Sequence, residues 1–386
     1  MIKYLASASL LLAGAYLSTA PALAADPGIT DTEIVIGDVE PLTGPPALLG
    51  VAASIGHKIA IAEANAAGGI NGRKIKYVLE DDGYVTARTI QGVKKVTDVD
   101  KAFALLGISG SGQSIAVMPL LEKAGIPTVI DVAPVKFLWE PPRKNVFVVG
   151  QSYEEGIIHL VNYLAEKNPG KKWGLITQDD DYGITVRDGF DTVVKARKLN
   201  VVYSGNYKKG QQDFSSDMLQ LKDSGAEVFL AGGIIGENIA MIKELEKLSI
   251  KPVVGIFWPG RVEPVLKLMG PAGDGIYAVD YVEPFAGAAG KAFLEKAKEL
   301  LPEAEIKGIN RYSMTGYAAA KVLIAAIERC GKQPTWACTI AELEKTENVE
   351  TGIMAPISFG PGVRFSNQKL QIMQSEFSTL SFKPVN

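Results

Sequence analysis

The feature that most constrains the fold of this chain is an internal repeat. Residues 106–134, LGISGSGQSIAVMPLLEKAGIPTVIDVAP, lie over residues 230–258, LAGGIIGENIAMIKELEKLSIKPVVGIFW, without a gap at a constant offset of 124. Leu106 meets Leu230, Gly112 meets Gly236, Glu122-Lys123 meets Glu246-Lys247, and Ile126 meets Ile250. LLGVAAS (48–54) and DYGITVR (181–187) likewise open the first helix of each series. Apolar β-rich runs alternate with amphipathic helical runs along most of the chain. EIVIGDV, KIKYVLED, AFALLGI and PTVIDV punctuate the first series; KWGLITQD, NVVYSGNY and EVFLAGG punctuate the second. This is βαβ spacing, and it predicts parallel sheets covered by helices on both faces. The repeat makes the expectation two similar α/β lobes.

Ligands in such sheets sit outside the carboxyl ends of the strands. Two facing lobes present six loops to one cleft. Leu48–Gly50, Ser109–Ser114 and Val132–Pro134 come from the first lobe; Asp181–Gly183, Gly233–Asn238 and Ile256–Trp258 come from the second. The repeat pairs Ser111 with Ile235, Leu49 with Tyr182, and Pro134 with Trp258. One lobe offers hydroxyls and N–H groups, the other apolar and aromatic surface. That suits a small solute with a polar head and an apolar body.

The loop GISGSGQS (107–114) fits a phosphate-binding loop except that Gln113 stands where its lysine belongs. A Gly/Ser turn between a strand and a helix holds anions on backbone N–H groups at the helix N-terminus. Without the lysine that reaches the β/γ-phosphates, the loop reads as a cradle for a different anion. A nucleotide is also not expected in an exported protein. Export is expected from Lys3, the apolar run YLASASLLLAGAYL and the small residues Ala22 and Ala24, which make residues 1–25 a cleaved signal peptide. No cysteine lies near the cleavage site to carry a lipid anchor, and no other apolar run is long enough to span a bilayer.

The 386 residues favour two domains. A formal charge of −3 gives no reason to expect nucleic acid or an acidic membrane as partner. Cys330 and Cys338, the only cysteines, are a candidate disulfide. With only His57 and His159 besides, no metal site is expected, and both histidines read as packed or solvated side chains in helices. Asp81-Asp82 and Asp179–Asp181 follow strands, where aspartate caps helices and shapes turns. Ser111 lacks a nucleophile elbow, and neither histidine falls in a cleft loop, so no enzyme is expected.

At IAEANAAGGINGRKIKYVLEDD (61–82) the sequence resembles the branched-chain amino acid-type periplasmic binding proteins of ABC transporters, the Leu/Ile/Val-binding family. IVIGDVEPLTGP (34–45), LLEKAGIPTVI (120–130), DDDYGITVRDGF (179–190), DFSSDMLQLKDSGAEVFLAGG (213–233) and PISFGPGVRFSNQ (356–368) extend the resemblance over the rest of the chain. It implies two Rossmann-like lobes joined by a hinge of three crossovers, the type I periplasmic binding protein fold. Lobe 1 is then 26–150 plus 280–370, and lobe 2 is 151–279 plus 371–386. It further implies a periplasmic monomer without cofactor that closes on a small-molecule solute and delivers it to a membrane permease.

The resemblance places the solute carboxylate on Ser111 and Gly112, backbone groups of Val132–Pro134 beside it, and Tyr182 reaching over from the second lobe. Leu49, Ile234, Trp258 and Tyr153 complete the candidate site, and Arg261 is a candidate to pair with the carboxylate. The chain also departs from the family. No acid stands where the amino acid binders hold the ligand ammonium; FWPGRVEP (257–264) occupies that place, with Glu263 close. Pro134 replaces a threonine and has no N–H to give. A buried ammonium without a partner is strongly penalised, so the expected solute is a carboxylate with an apolar or aromatic body and no α-amino group. Branched-chain or aromatic amino acids, a sensing role at a membrane receptor, and an exported hydrolase are the alternatives.

Overall fold

The computed structural model describes residues 26–385; the expected signal peptide, residues 1–25, lies outside them. The first series consists of β1 (Glu33–Glu40), α1 (Ala47–Ala66), β2 (Lys74–Asp81), α2 (Thr86–Lys94), β3 (Ala104–Gly107), α3 (Ser111–Ala124), β4 (Thr128–Ile130) and β5 (Val146–Val149). The second consists of α4 (Tyr153–Lys167), β6 (Lys172–Gln178), α5 (Asp181–Arg197), β7 (Asn200–Tyr207), α6 (Ser215–Ser224), β8 (Val228–Gly232), α7 (Gly236–Lys247), β9 (Val253–Ile256), α8 (Glu263–Met269) and β10 (Tyr277–Asp280). Helices α9 (Ala288–Leu300), α10 (Glu303–Ile306), α11 (Arg311–Arg329) and α12 (Trp336–Glu344) follow. Strands β11 (Phe365–Ser366), β12 (Gln371–Glu376) and β13 (Ser381–Pro384) end the chain.

The strand orders display the repeat. One sheet runs β11-β5-β4-β3-β1-β2, the other β13-β12-β10-β9-β8-β6-β7. Laying β1 on β6, β2 on β7 and so on through β10 gives the same order in both. The strands pair in parallel throughout these two series. The inner strands β3, β5, β8 and β9 are nearly continuous apolar runs, as expected of sheets covered on both faces, whereas the edge strands β2 and β7 are more polar and partly exposed. The second sheet departs from the parallel expectation at one edge, where β12 and β13 add antiparallel. The chain passes between the sheets three times, after β5, after β10 and between β11 and β12.

The second pass brings α11 back along α1. The two helices touch backbone to backbone: a Cβ on Gly56 would lie 2.1 Å from the Ser313 carbonyl oxygen, and one on Gly316 would lie 2.3 Å from that of Ala53. This contact explains the composition of α1. Among the described residues it is the one helix long and apolar enough to cross a membrane, which corrects the expectation that no run beyond the N-terminal one has that length; most of it is buried in the protein. At the far end of α11, Cys330 is bonded to Cys338 in α12.

Candidate functional site

The loop after β3 turns through left-handed backbone at Gly107, Ile108 and Gly110, with φ of 80°, 68° and 100°. Gly107 is required for a second reason, since a Cβ there would meet a carboxylate oxygen of Asp38 at 2.0 Å. The loop's polar side chains are mostly engaged. Ser109 donates to Glu40, Ser114 donates to the Ile108 carbonyl at 3.0 Å, and Gln113 donates to the Tyr84 carbonyl at 3.1 Å. Gln113, at the position of the missing lysine, is therefore a structural tie. Ser111 differs from these neighbours. It begins α3, is 3% exposed, and its hydroxyl has no partner among the described residues.

That hydroxyl belongs to the wall of a chamber between the lobes. Leu49, Tyr84, Gly110 and Val132 join Ser111 from the first series. Tyr182, Ile234 and Pro259 come from the second, and Tyr153 and Tyr312 stand at the passes between them. The space left inside is about 10 Å3, room for roughly one water. The lobes are closed on it. Among the described residues no charged side chain lines the chamber. Two of the tyrosine hydroxyls are spent on backbone, Tyr153 on the Val132 carbonyl at 2.7 Å and Tyr182 on that of Gly233 at 3.2 Å. The Tyr312 hydroxyl, like that of Ser111, is buried without a partner.

The structure thus brings together Ser111, Val132, Tyr182, Leu49, Ile234 and Tyr153, and it places four other candidates elsewhere. Trp258 is fully buried behind the wall, with its ring centroid 3.9 Å from that of Phe257, 5.3 Å from Tyr153 and 5.0 Å from Tyr281. A 3-10 turn, Trp258–Gly260, follows β9 and swings the indole inward, leaving Pro259 on the wall. Pro134 accepts from the Tyr153 N–H at 3.2 Å and so positions Tyr153. Gly112 faces Asp181 of the other lobe, whose carboxylate a Cβ would meet at 3.3 Å. Arg261 is neither a chamber residue nor a solvated loop arginine; it is 1% exposed and ion-paired to Asp280. Glu263 starts α8, half-buried, and does not reach the chamber.

Tyr84 and Tyr312 are wall residues that sequence reasoning missed. Tyr84 sits in left-handed backbone, φ 63°, a rare conformation for a bulky residue. The acid pair before it explains how it is held: Asp82 accepts from the Tyr84 N–H at 2.7 Å, and Asp81 accepts from Leu42 and Gly83 N–H groups. The available signal was its place after β2, at a strand end facing the cleft. Tyr312 lies in the first turn of α11 behind the Asn310 cap, outside both βα series, where no comparable signal exists.

Two buried charge networks flank the chamber. In the first lobe His57 lies between Asp38 and Asp131, at 2.9 and 3.2 Å, with Tyr77 also on Asp38. Burial acts to lower the His57 pKa, but the two carboxylates outweigh it and raise it to about 10. His57 is therefore a buried cation, not merely a packed imidazole. Glu40, buried beside Asp38 and Asp131, is raised well above the usual carboxylate range. At the end of β10 the signs reverse. Arg311 grips Asp280 with two hydrogen bonds of 2.8 Å, and Arg261 takes the same carboxylate from another side. Burial acts to raise the Asp280 pKa, and the two guanidiniums outweigh it and lower it. Two arginines against one aspartate leave a net positive charge. Arg311 also stacks 4.6 Å from the Tyr312 ring.

A larger groove of about 910 Å3 lies by the amino ends of β9 and β10, lined by Ile250, Val253 and Tyr277 among others, away from the strand ends that form the cleft.

Comparison with known proteins agrees with this architecture. The family model described as periplasmic binding protein matches residues 33–379. A Leu/Ile/Val-binding protein homolog of Brucella suis is 28% identical over 340 residues, covering 84% of this chain and 81% of that protein. One from Brucella abortus is 26% identical over 324 residues, 80% of each. Among solved structures, a branched-chain amino acid ABC transporter protein from Thermus thermophilus with bound valine superposes with TM-score 0.82 at 18% identity, covering 92% of this chain and 95% of that one. An ABC transporter solute-binding protein from R. palustris in complex with 4-hydroxybenzoate gives TM-score 0.82 at 20% identity, covering 92% and 96%. The match over nearly the whole described chain, on this two-lobed architecture, shows that the chain belongs to the periplasmic binding protein family.

Proposed function

We propose that this protein binds a small carboxylate with an apolar or aromatic body and no α-amino group, and delivers it from the periplasm to the membrane permease of an ABC transporter. The observation that carries this reading is the polarity of the closed chamber. Its wall holds two buried hydroxyls without partners, Ser111 and Tyr312, and no acid. Both hydroxyls can donate to a carboxylate. Behind Tyr312, Arg311 lies against its ring, and Asp280 is shared between Arg261 and Arg311, so the local charge favours an anion. An α-ammonium brought here would lose its water and gain no counter-charge, at a cost of several kcal/mol. The fold itself does not decide the matter, since structural neighbours hold valine in one case and 4-hydroxybenzoate in another. Ser111 has no base beside it, which supports a donor and not a nucleophile.

A thermal-shift panel tests the reading. Each branched-chain or aromatic amino acid is paired with its deaminated acid, such as isovalerate for valine and 3-phenylpropanoate for phenylalanine, with phenylacetate and benzoate as shorter aromatic acids. A ligand in excess of its Kd raises the melting temperature by mass action. The acids are expected to raise it and the amino acids to leave it unchanged. A shift with leucine or phenylalanine and none with the acids returns the protein to amino acid transport.

A further inference from the structure

The chamber continues beyond Tyr84. A second cavity of about 150 Å3 lies against it, and Tyr84 and Ile234 line both. Roughly 150 Å3 is the size of a cavity that holds a benzene-sized guest, whereas the closed inner chamber has room for about one water. The second cavity is apolar on the sides formed by Pro45, Pro46 and Ile235, and polar along Gln178, Lys209 and Glu237. Glu237 is engaged with the Gly210 N–H at 3.2 Å. Lys209 reaches across the lobes, donates to the Tyr84 carbonyl at 3.0 Å and rests 3.7 Å from the centre of its ring. Gln178 gives its amide nitrogen to Asp180, a contact with a carboxylate that fixes which end of the amide is nitrogen. Its oxygen is buried and has no partner. Gln178 is 2% exposed, so solvent does not satisfy that oxygen.

We propose that the second cavity is the far half of the solute site, and that Gln178 accepts a hydrogen bond there from a hydroxyl on the end of the solute remote from its carboxylate. The proposal rests on the carboxylate reading of the inner chamber. The solute is then an elongated hydroxy acid, its head on Ser111 and Tyr312 and its body passing the neck formed by Tyr84 and Ile234. The unpartnered atom in this wall is the Gln178 oxygen, which calls for a donor; a second carboxylate would leave it unsatisfied. Lys209 closes over Tyr84 only when the lobes meet, so the neck forms around a solute already in place.

Calorimetric affinities separate the two claims. The probes are 4-hydroxybenzoate, its isostere 4-methylbenzoate, the longer 4-hydroxycinnamate, and the primary amide of each. In the unmodified protein the hydroxyl is expected to improve affinity over the methyl by about tenfold, the size of one buried hydrogen bond. Gln178→Met is expected to abolish that ratio. Ile235→Trp, which fills the cavity, is expected to lower the ratio of 4-hydroxycinnamate to 4-hydroxybenzoate affinity by a similar factor. Hydroxyl and methyl probes of equal affinity, or a hydroxyl gain that survives Gln178→Met, overturn the far half of the site. Acids binding no better than their amides overturn the carboxylate head instead, while a Gln178-dependent hydroxyl gain in both series still supports the second cavity. Failure of every probe to bind overturns both.

Discussion

The two buried charge networks beside the cleft answer opposite needs. In the first lobe, carboxylates outnumber cations: Asp38, Asp131 and Glu40 surround one His57. At the end of β10, cations outnumber carboxylates, with Arg261 and Arg311 on Asp280. The groups differ in how they escape a bad environment. Carboxylates and histidine shed or gain protons, so the first network adjusts its charge, whereas an arginine keeps its charge. Only the second network can therefore present a fixed positive charge to a solute. The first network instead ties Ser109, and with it the loop after β3, to Glu40.

The comparison can be broken most forcefully at Asp280. Asp280→Asn leaves two buried guanidiniums without a counter-charge and is expected to cost about 3–5 kcal/mol of stability in urea unfolding. A loss under about 1 kcal/mol would mean that the pair is not truly desolvated. His57→Gln is expected to cost less, roughly 1.5–3 kcal/mol, because the aspartates it abandons can protonate. Stability curves against pH sharpen the contrast. His57 is raised from 6.5 to about 10, so the folded protein holds the extra proton between those values. Its contribution is complete below pH 6.5 and is lost as pH rises toward 10. Asp280 is lowered from 3.8, so its contribution is complete above pH 3.8 and is lost as pH falls through the folded value. His57→Gln should flatten the alkaline limb, and Asp280→Asn the acid limb. Identical pH profiles in the two variants would erase the distinction.

Two substitutions in the wall carry the contrast to binding. Ser111→Ala removes a donor that no protein group uses, and is expected to weaken carboxylate binding by roughly 1.5–3 kcal/mol with little change in the stability of the unliganded protein. Tyr182→Phe removes a hydroxyl already spent on the Gly233 carbonyl, which also accepts from Asn238 at 2.9 Å. Its expected effect on affinity is under about 1 kcal/mol. If the two effects appear in the reverse order, the head of the solute lies on the second lobe.

Much of the fold was legible because it is periodic. The offset of 124 carries β3, α3 and β4 onto β8, α7 and β9, and the loops at those strand ends include Ser111, Val132 and Ile234. Legibility stopped where periodicity did. Trp258 follows β9 at the expected strand end, but the turn after the strand points the indole inward, and no alignment of the repeats reports the rotation of one turn. Arg311 and Asp280 are 31 residues apart, and His57 and Asp131 are 74 apart. Such pairings are fixed by how lobes and helices pack, so a single sequence shows the residues without their partners. Tyr84 was hidden differently: its role depends on left-handed backbone imposed by Asp82, which the sequence marks only as a turn.

The most direct measurement is one calorimetric comparison, 3-phenylpropanoate against phenylalanine, titrated into the same preparation at neutral pH. The two share a ring, a two-carbon linker and a carboxylate and differ by the ammonium. If the inner chamber holds an acid head with no partner for a cation, 3-phenylpropanoate should bind at least about a hundredfold more tightly, the equivalent of several kcal/mol of unmet desolvation. If phenylalanine binds as tightly or more so, the chamber has a counter-charge for the ammonium, and the proposed class of solute is wrong.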